Sequence, residues 1–525
     1  MRKFAVLLGA LVLGHAAPVD AASRGGTFVY SPRADVIFLD PVHTQQNPDI
    51  WIALNLYDTL IRPSADGKKL EPGLASAYEL SPDAKTVSLT LRPGTKFADG
   101  SPITAGDVKF SLDRARDKTS GEFNFLLKAI DSVEIKGADK IQINLSQPNP
   151  AILAALATFN SAIVSEKLLQ AAPGANLVEK AKAFAEKPIG SGPFILKSWT
   201  RGSEMVLARN PHYWEMGDDG KPLPYVDEVK LVIIPDDATR LLKLKAGEID
   251  GAEAVPFSRV AELKADPKID MLLVPAAKVI YMRVNNRPTL KDGTQNPMSN
   301  KLVRQAMNYA IDKKAIAQVV TYGVGTPQIT YMPSSTPLAY LEKGEPYPYN
   351  PAKAKQLLQE AGFGGGLTVT VYNVAGDADS ATQTQALQQM WGAVGVKLNI
   401  QQLDSATRIA KMKAADYQIL TSLWTNDIND PGQITSYFTY YPVVESNWAG
   451  YKAPEIEELF LKSESEVDVE KRRALYKQIQ EKQLELAPQM YLLEVPYTVA
   501  LNKKVRNFVQ IPLGNYIFSG VSIEK

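Results

Sequence analysis

Cysteine is absent from this sequence, and only three of its 525 residues are histidine. Without cysteine the chain has neither a disulfide scaffold nor a thiol for lipid attachment, so an exported form must rely on a large apolar core. The length and the 45% hydrophobic content provide material for two or three packed lobes. The composition therefore predicts a large globular protein.

The N-terminus has the layout of a secretory signal peptide. Arg2 and Lys3 supply a positive start, an apolar run covers 4–13, and small residues lead to Ala21. The run is shorter than the roughly 18–20 apolar residues of a membrane-spanning helix, and no later stretch is long enough. We expect cleavage after Ala21 and a periplasmic location in a two-membrane bacterium, because an unanchored protein would otherwise diffuse away.

Neither sign of charge prevails. Residues 1–21 contain Arg2, Lys3 and Asp20, and without them the totals of 58 basic and 57 acidic residues both become 56. A balanced chain gives no electrostatic reason to bind nucleic acid or an anionic membrane. We therefore expect no nucleic-acid partner.

Familiar catalytic and metal-binding patterns are also missing. Only His43 and His212 remain after cleavage, and neither lies in a nucleophile-elbow or cysteine context. Two isolated histidines make a poor zinc site, and the glycines at 323–325 and 364–366 indicate turns rather than nucleotide loops. We expect no enzyme, no metal and no cofactor. The alternative from a different class is a secreted hydrolase that uses a carboxylate pair.

Hydrophobic periodicity predicts individual elements. Alternating apolar residues predict strands around 87–91, 141–145 and 229–233. Thr104, with Asp107 three residues later, is expected to cap a helix. A second helix is expected to follow the cap residue Asn350 and to end at Gly362.

Strands and helices alternate strictly between 367 and 427. Strands are expected at 367–371, 396–400 and 419–424, with a helix through Trp391 and another from about Ser405. This order predicts a β-α-β-α-β unit and a parallel sheet. Ligands of such sheets bind beyond the carboxyl ends of the strands, where residues 424–427 fall.

The segment 91–111, LRPGTKFADGSPITAGDVKFS, resembles the signature of the peptide/nickel/opine family of solute-binding proteins, which serve ATP-binding-cassette importers. It reads as a strand, two turns and a capped helix, so it indicates the family and not the ligand. Five further matches follow in the family's order: GSGPF at 190–194, NPHYW at 210–214, LKAGEID at 244–250, VRQA at 303–306 with AID at 310–312, and YNPAKA at 349–354.

The resemblance implies an α/β fold, a two-lobed periplasmic-binding-protein clamp with an additional domain, in the three-domain cluster C arrangement. Lobe I would comprise residues 22–68, 188–274 and 494–525, domain II residues 69–187, and lobe II residues 275–493. Lobe closure around the ligand is a hinge motion that an importer can read as the loaded state. The expected partners are a small-molecule ligand and an inner-membrane permease with its ATPase subunits, and the chain is expected to be a monomer.

The resemblance also implies ligand contacts in lobe II. Oligopeptide- and dipeptide-binding members hold the ligand's amino terminus with an acidic residue, and Asp427 falls on that position. Trp424 would cover the ligand, and the edge from Leu423 to Thr425 would pair with its backbone. The alternatives are a solvated turn carboxylate for Asp427 and ordinary core packing for Trp424.

Further candidates lie in two polar stretches. Gln45 and Asn47 align with the ligand-pairing edge of lobe I, and a polar surface loop is the alternative for both. Asn447 and Trp448 are candidates of the same kind in lobe II. Together with Leu423–Thr425 and Asp427 they complete the predicted site.

One departure from the family concerns the ligand's carboxylate. Where oligopeptide-binding members carry basic residues, this chain has Met412 and Thr421, and the flanking Lys411 and Lys413 fit a solvent-facing position equally well. A carboxylate at this register therefore has no predicted partner.

The ligand class follows from the remaining features. The shortage of histidine disfavours the nickel branch, and Asp427 favours an amine because a carboxylate in a closed cleft is costly unless it is paired. We expect a short peptide or a related amine-bearing solute. An opine, a sugar or an oligosaccharide is the alternative, since Trp391, Trp424 and Trp448 offer stacking faces.

Overall fold

Three β-sheets organise the chain. The computed structural model describes residues 23–44, 46–119, 121, 123–336, 338, 344–443 and 448–524. Two of the sheets are large, with seven and six strands, and the third has four strands. Short antiparallel pairs supplement them: Ile61–Pro63 with Leu70–Pro72, Val505–Arg506 with Ser522–Ile523, and Val509–Gln510 with Tyr516–Ile517.

The seven-stranded sheet is built from distant parts of the sequence. Its central strand Thr27–Ser31 runs parallel to both neighbours, and the other pairs are antiparallel. Phe28 and Tyr30 are fully buried and pack against Phe518. The spatial order of the strands is Ile269–Val274, Tyr497–Asn502, Gly251–Ala252, Thr27–Ser31, Glu228–Val232, Glu204–Arg209 and Phe194–Thr200.

The six-stranded sheet contains the predicted β-α-β-α-β unit. Leu367–Val374 pairs in parallel with Val396–Leu403 on one side and with Ile419–Thr425 on the other, which confirms the prediction. Trp391 is fully buried, and its indole N–H donates to the Met307 carbonyl at 3.0 Å. The spatial order is Thr326–Pro327, Met490–Glu494, Lys278–Val284, Ile419–Thr425, Leu367–Val374 and Val396–Leu403.

The family signature builds part of the four-stranded sheet and the helix that covers it. The Thr104 side chain accepts from the Asp107 N–H and the Asp107 carboxylate accepts from the Thr104 N–H, so the predicted capping box is confirmed. Gly94 and Gly100 make the two turns with φ of +76° and +85°, where a side chain would be strained. The strands lie in the order Ala75–Leu80, Thr86–Leu91, Lys140–Leu145 and Ile130–Ile135.

Helices cover the faces of these sheets. Asn350 caps its helix through the Lys353 N–H, as predicted, and Gly362 follows it with φ of +86°. Within the described residues the α-helices are Asn47–Leu56, Ala105–Arg116, Ile152–Leu156, Glu166–Ala171, Leu177–Glu186, Asp237–Ala246, Val260–Ala265, Lys301–Tyr309, Lys313–Thr321, Pro351–Glu360, Ala378–Gly392, Ser405–Lys413, Pro431–Thr439, Pro454–Ser465 and Val469–Leu486. Short 3₁₀ helices cover Asn124–Leu127, Phe159–Ser161, Phe257–Arg259 and Pro297–Ser299.

The chain passes directly between the two large sheets at two neighbouring points. Ile269–Val274 and Tyr497–Asn502 pair in the seven-stranded sheet, and their continuations Lys278–Val284 and Met490–Glu494 pair in the six-stranded sheet. Both connections are only a few residues long. The two sheets are thus joined by two short connections that lie side by side. The lobe and domain boundaries given above stay a prediction.

No helix within the described ranges is both long and apolar enough to cross a membrane. The predicted signal peptide, residues 1–21, lies outside those ranges.

Candidate ligand-binding cleft

A cavity of about 910 Å³ lies between the two large sheets. From the side of the seven-stranded sheet it is lined by Arg33, the helix Asp237–Ala246 and the loop 254–259. From the six-stranded side it is lined by Lys278 and by parts of two further segments: Val374, residues 376–380, Gln383, and Thr421, Ser422 and Leu423. The volume falls near the top of the roughly 300–1,000 Å³ typical of small-molecule sites.

The cavity sits where the order of the parallel strands reverses. From the central strand Leu367–Val374, the helix Ala378–Gly392 leads to one neighbouring strand. From there the helix Ser405–Lys413 leads back to the neighbour on the other side. Val374, the last residue of the central strand, lines the cavity. The crevice beyond such a reversal is the place where ligands of parallel sheets bind.

One edge of the strand Ile419–Thr425 is open at the cavity. The strand pairs with Lys278–Val284 over its whole length, but with Leu367–Val374 only at Ile419 and Leu420. Thr421, Ser422 and Leu423 line the cavity beyond that point. This edge can therefore accept the backbone of an extended ligand as an additional strand.

Two arginines lie at the Thr421 end of the open edge. Arg408 donates through Nη2 to the Thr421 carbonyl, and its buried Nε–H has no hydrogen-bond partner among the described residues. Burial, and next the charge of Arg283, lower the pKa of Arg408. Arg283 is 5% exposed and contacts the Met412 sulfur, and its Nη2 donates to the Tyr281 hydroxyl at 2.6 Å. Both guanidinium groups line the cavity.

A mixed cluster of charges lies on another part of the wall. Lys278 is desolvated on this part of the wall. This burial lowers its pKa to about 8, although the negative charges of Asp379 and Glu253 act in the opposite direction. Burial and the charge of Asp377 raise the pKa of Asp379 to about 6. Burial also raises the pKa of Glu253 to about 6, and its carboxylate accepts from the Arg33 N–H at 2.8 Å. Opposite charges nearly balance in this cluster.

Two of the predicted site residues line the cavity. Leu423 is 55% exposed and points into it from the open strand edge. Trp448 lines it with its ring 5.5 Å from the Arg283 guanidinium carbon. The Trp448 carbonyl accepts from the Tyr417 hydroxyl at 3.0 Å, and the residue has a φ of +58°.

Trp424 lies on the opposite face of the same strand. Its ring centroid is 4.4 Å from that of Tyr437 and 5.7 Å from that of Phe438, within an aromatic core cluster. Its indole N–H donates to the Asn426 side-chain oxygen at 3.0 Å. Trp424 is not part of the cavity lining, so core packing is its observed role.

Asp427 lies just beyond the carboxyl end of the strand and outside the cavity lining. Its Oδ2 accepts from Gln433 Nε2 at 2.7 Å, while its N–H donates to Gln433 Oε1 at 2.9 Å. Burial raises the pKa of the carboxyl to about 7, against the effect of the Gln433 hydrogen bond. No cation of the described residues forms an ion pair with Asp427. A ligand ammonium close to this carboxyl would stabilise its charged form.

The other predicted residues lie away from the cavity lining or outside the described ranges. Thr425 is buried. Asn47 is the first residue of the helix Asn47–Leu56 and is partly exposed. Gln45 and Asn447 lie outside the described residues.

The sequence reasoning missed the cations of the cleft. Arg408 precedes Met412 by four residues, so both side chains lie on one face of their helix. That spacing could have identified Arg408, because Met412 was already placed at the carboxylate register. Arg283 and Lys278 come from a strand more than a hundred residues earlier, and no local pattern connects them with that helix.

Comparison with known proteins agrees with this architecture. The model of the bacterial extracellular solute-binding proteins, family 5 Middle, matches residues 69–444. A glutathione-binding protein GsiB of Pectobacterium atrosepticum is 29% identical over 521 residues, covering 97% of this chain and 96% of its own. The probable D,D-dipeptide-binding periplasmic protein DdpA of Escherichia coli is 28% identical over 525 residues, with 98% of both chains covered.

A solved structure shows the same fold. The binding protein AgaA from A. tumefaciens R10, determined in complex with agropinic acid, is 28% identical with a TM-score of 0.80. The match covers 95% of this chain and 99% of AgaA. The fold is thus the two-lobed clamp with an additional domain. Because the family model matches more than half of the sequence, the chain belongs to family 5 of the bacterial extracellular solute-binding proteins.

Proposed function

We propose that this protein is the extracytoplasmic solute-binding component of an ATP-binding-cassette importer. It captures a short peptide or a related amine-bearing solute between its lobes and delivers it to the membrane permease and its ATPase subunits. Export by residues 1–21, cleavage after Ala21, binding without turnover, and the lobe and domain boundaries given above belong to the same proposal. The sheet membership of the strands supports these boundaries, because the seven-stranded sheet combines strands at 27–31, within 194–274 and at 497–502, all of which fall in the predicted lobe I.

The observation that carries the proposal is the open strand edge in the cavity between the lobes. From Thr421 to Thr425 the strand spans four residue steps, or about 13 Å at roughly 3.3 Å per step. Three or four extended residues have a similar length. A ligand that pairs with this edge is therefore short and has a peptide-like backbone.

The position of Asp427 supports the proposal that this ligand carries an amino group. It follows the open edge by two residues, and the burial of its carboxyl is offset only by Gln433. An ammonium at this point would replace the lost water and pair with the charge. We propose the same contact role, at the ligand's amino end or backbone, for Thr425, Asn47, Gln45 and Asn447, and a stacking role for Trp448.

The relatives support two versions of the ligand. Glutathione and D,D-dipeptides, named for GsiB and DdpA, are short peptide-like amines. Agropinic acid, bound by AgaA at similar identity, supports the second candidate, an opine.

Mass spectrometry of protein purified under mild conditions tests the proposal. We expect the protein to retain an intact short peptide or amine-bearing solute, and to release it unchanged on denaturation. A neutral sugar in its place would refute the ligand class. Steady release of a cleaved product from added peptides would refute the binding role and favour the hydrolase.

A further inference from the structure

The two residues that follow Asp427 contact parts of the molecule outside lobe II. Ile428 is 3% exposed and belongs to the apolar cluster formed mainly by the predicted domain II. Among the described residues it is the one buried member of that cluster that comes from lobe II. Asn429 Nδ2 donates to the Gly67 carbonyl at 2.6 Å, next to the predicted boundary between lobe I and domain II. A contact across the lobes thus directly follows a residue of the proposed ligand site.

A row of aromatic rings crosses the same boundary. Within the predicted domain II, the Phe123 ring centroid lies 4.9 Å from that of Phe159 and 6.2 Å from that of Phe125. Phe125 meets Tyr437 of lobe II in an edge-to-face arrangement, with 5.6 Å between the centroids. This geometry is an attractive one for aromatic pairs. Tyr437 packs in turn on Trp424, so the row connects the interior of domain II with that of lobe II.

Residues of the ligand site and residues of this boundary alternate along one short stretch of chain. Leu423 and Asp427 are of the first kind, and Trp424 and Ile428 are of the second. Neighbouring residues of one strand and its following turn move together. A rotation of lobe II that opens the cavity must therefore also draw Ile428 out of the domain II cluster.

Separation of the two surfaces is unfavourable whether or not a ligand is present. It would expose the isoleucine side chain and both ring edges to water, at a free-energy cost that grows with the apolar area. It would also break the Asn429–Gly67 hydrogen bond. Phe125, Ile428 and Tyr437 are not part of the cavity lining. Their influence on a ligand must therefore pass through the position of lobe II.

We infer that the predicted domain II is the surface that holds lobe II in the closed form, through Phe125 and the apolar cluster around Ile428. The partner of this surface is lobe II of the same chain. The inference rests on the proposed function for the captured solute and adds a role for the additional domain. Domain II sets how long a solute is retained, and it does so independently of the solute's chemistry.

Single-molecule fluorescence energy transfer on the full chain tests this inference. Because the sequence contains no cysteine, Lys140→Cys and Lys355→Cys introduce two unique labelling sites. Both positions are exposed, the first in the predicted domain II and the second in lobe II. The measured quantity is the ratio of closed to open molecules, first without ligand and then with trialanine or glutathione as the probe. We expect the probe to raise this ratio in the otherwise unchanged protein.

Substitutions in the labelled protein assign the effect to the boundary. Phe125→Ala should lower the closed-to-open ratio about 5- to 30-fold, and Ile428→Ala about 10- to 100-fold. The Kd of the probe should rise by a similar factor, because fewer molecules are competent to hold it. Phe110→Ala is the matched control, since Phe110 is a partly buried phenylalanine of the same predicted domain that packs against the core of lobe I. If an alanine variant does not fold, Phe125→Leu and Asn429→Ala decide in its place.

The outcomes separate this inference from the proposed function. A lower ratio in both boundary variants, with the control unchanged, supports the role of domain II. An unchanged ratio in both variants overturns that role and leaves the proposed function intact if the probes bind. An equal fall in the control also overturns it, because the effect is then a general loosening of the domain. Molecules that stay open under all conditions overturn the inference, and calorimetry with the same probes decides the ligand class separately.

Discussion

Replacing Asp427 by asparagine should change stability and affinity in opposite directions. The Asp427 carboxyl is largely desolvated and, among the described residues, accepts a hydrogen bond from Gln433, and burial raises its pKa from 3.8 to about 7. A raised carboxyl pKa means that the folded state disfavours the charged form. Stability is therefore lost as the pH rises from the pKa of the unfolded state to the pKa of the folded state. Asparagine keeps an oxygen acceptor for Gln433 and carries no charge.

The magnitude follows from the size of the shift. About three pKa units at 1.36 kcal/mol each give roughly 4 kcal/mol if the carboxyl is fully shielded. The side chain is partly exposed, and solvent screening reduces this to about 1–3 kcal/mol. The gain in the free energy of unfolding of Asp427→Asn should be near zero at pH 4, grow up to pH 7, and stay constant above it.

The affinity for an amine-bearing ligand should fall at the same time. Loss of one partner of a charge pair costs about 2–4 kcal/mol, or about 30- to 1,000-fold in Kd. Denaturation in guanidinium chloride between pH 4 and 8 measures the stability, and calorimetry at pH 8 with the solute recovered by mass spectrometry measures the affinity. Equal pH profiles of the two proteins would refute the burial argument, and an unchanged Kd would remove Asp427 from the site.

Further substitutions distinguish cleft residues from core residues. Trp448→Ala should weaken binding about tenfold or more with little change in denaturation midpoint, since the ring lines the cavity. Trp424→Ala should instead lower the free energy of unfolding by about 2–4 kcal/mol, because its ring packs on Tyr437; the reverse pattern in calorimetry and denaturation would contradict both assignments. Arg472→Ala should cost about 3–5 kcal/mol, because it leaves the Asp430 carboxylate, now bonded at 2.6 and 2.8 Å, buried without its cation. Guanidinium denaturation measures this loss, and a loss below 1 kcal/mol would show that the pair is dispensable.

Local patterns in the sequence predicted the elements well. Alternation at 87–91 corresponds to the strand Thr86–Leu91, and the cap at Thr104 and the helix after Asn350 are observed as predicted. These features depend on residues within a few positions of one another. Period, capping and turn chemistry are local properties, and here tertiary contacts do not override them.

The site could be predicted only in part because it is assembled from distant segments. The strict alternation of a strand places Leu423 and Trp424 on opposite faces, so both cannot line one cavity. Counting the period in this strand would have indicated that conflict. The meeting of Arg283 with Arg408 depends instead on how the helix Ser405–Lys413 packs against the sheet, which no local pattern specifies.

The adjacent crossings between the two large sheets also constrain the order of folding. The strand Tyr497–Asn502 pairs with Ile269–Val274 and Gly251–Ala252, so the seven-stranded sheet cannot be completed until the chain extends through residue 502. The six-stranded sheet draws all its strands from that segment and can form earlier. Contacts between such distant residues form slowly, and the unpaired edge of Gly251–Ala252 stays exposed in the meantime. Addition of the C-terminal strand, rather than helix or hairpin formation, therefore sets the earliest moment at which both connections between the large sheets exist.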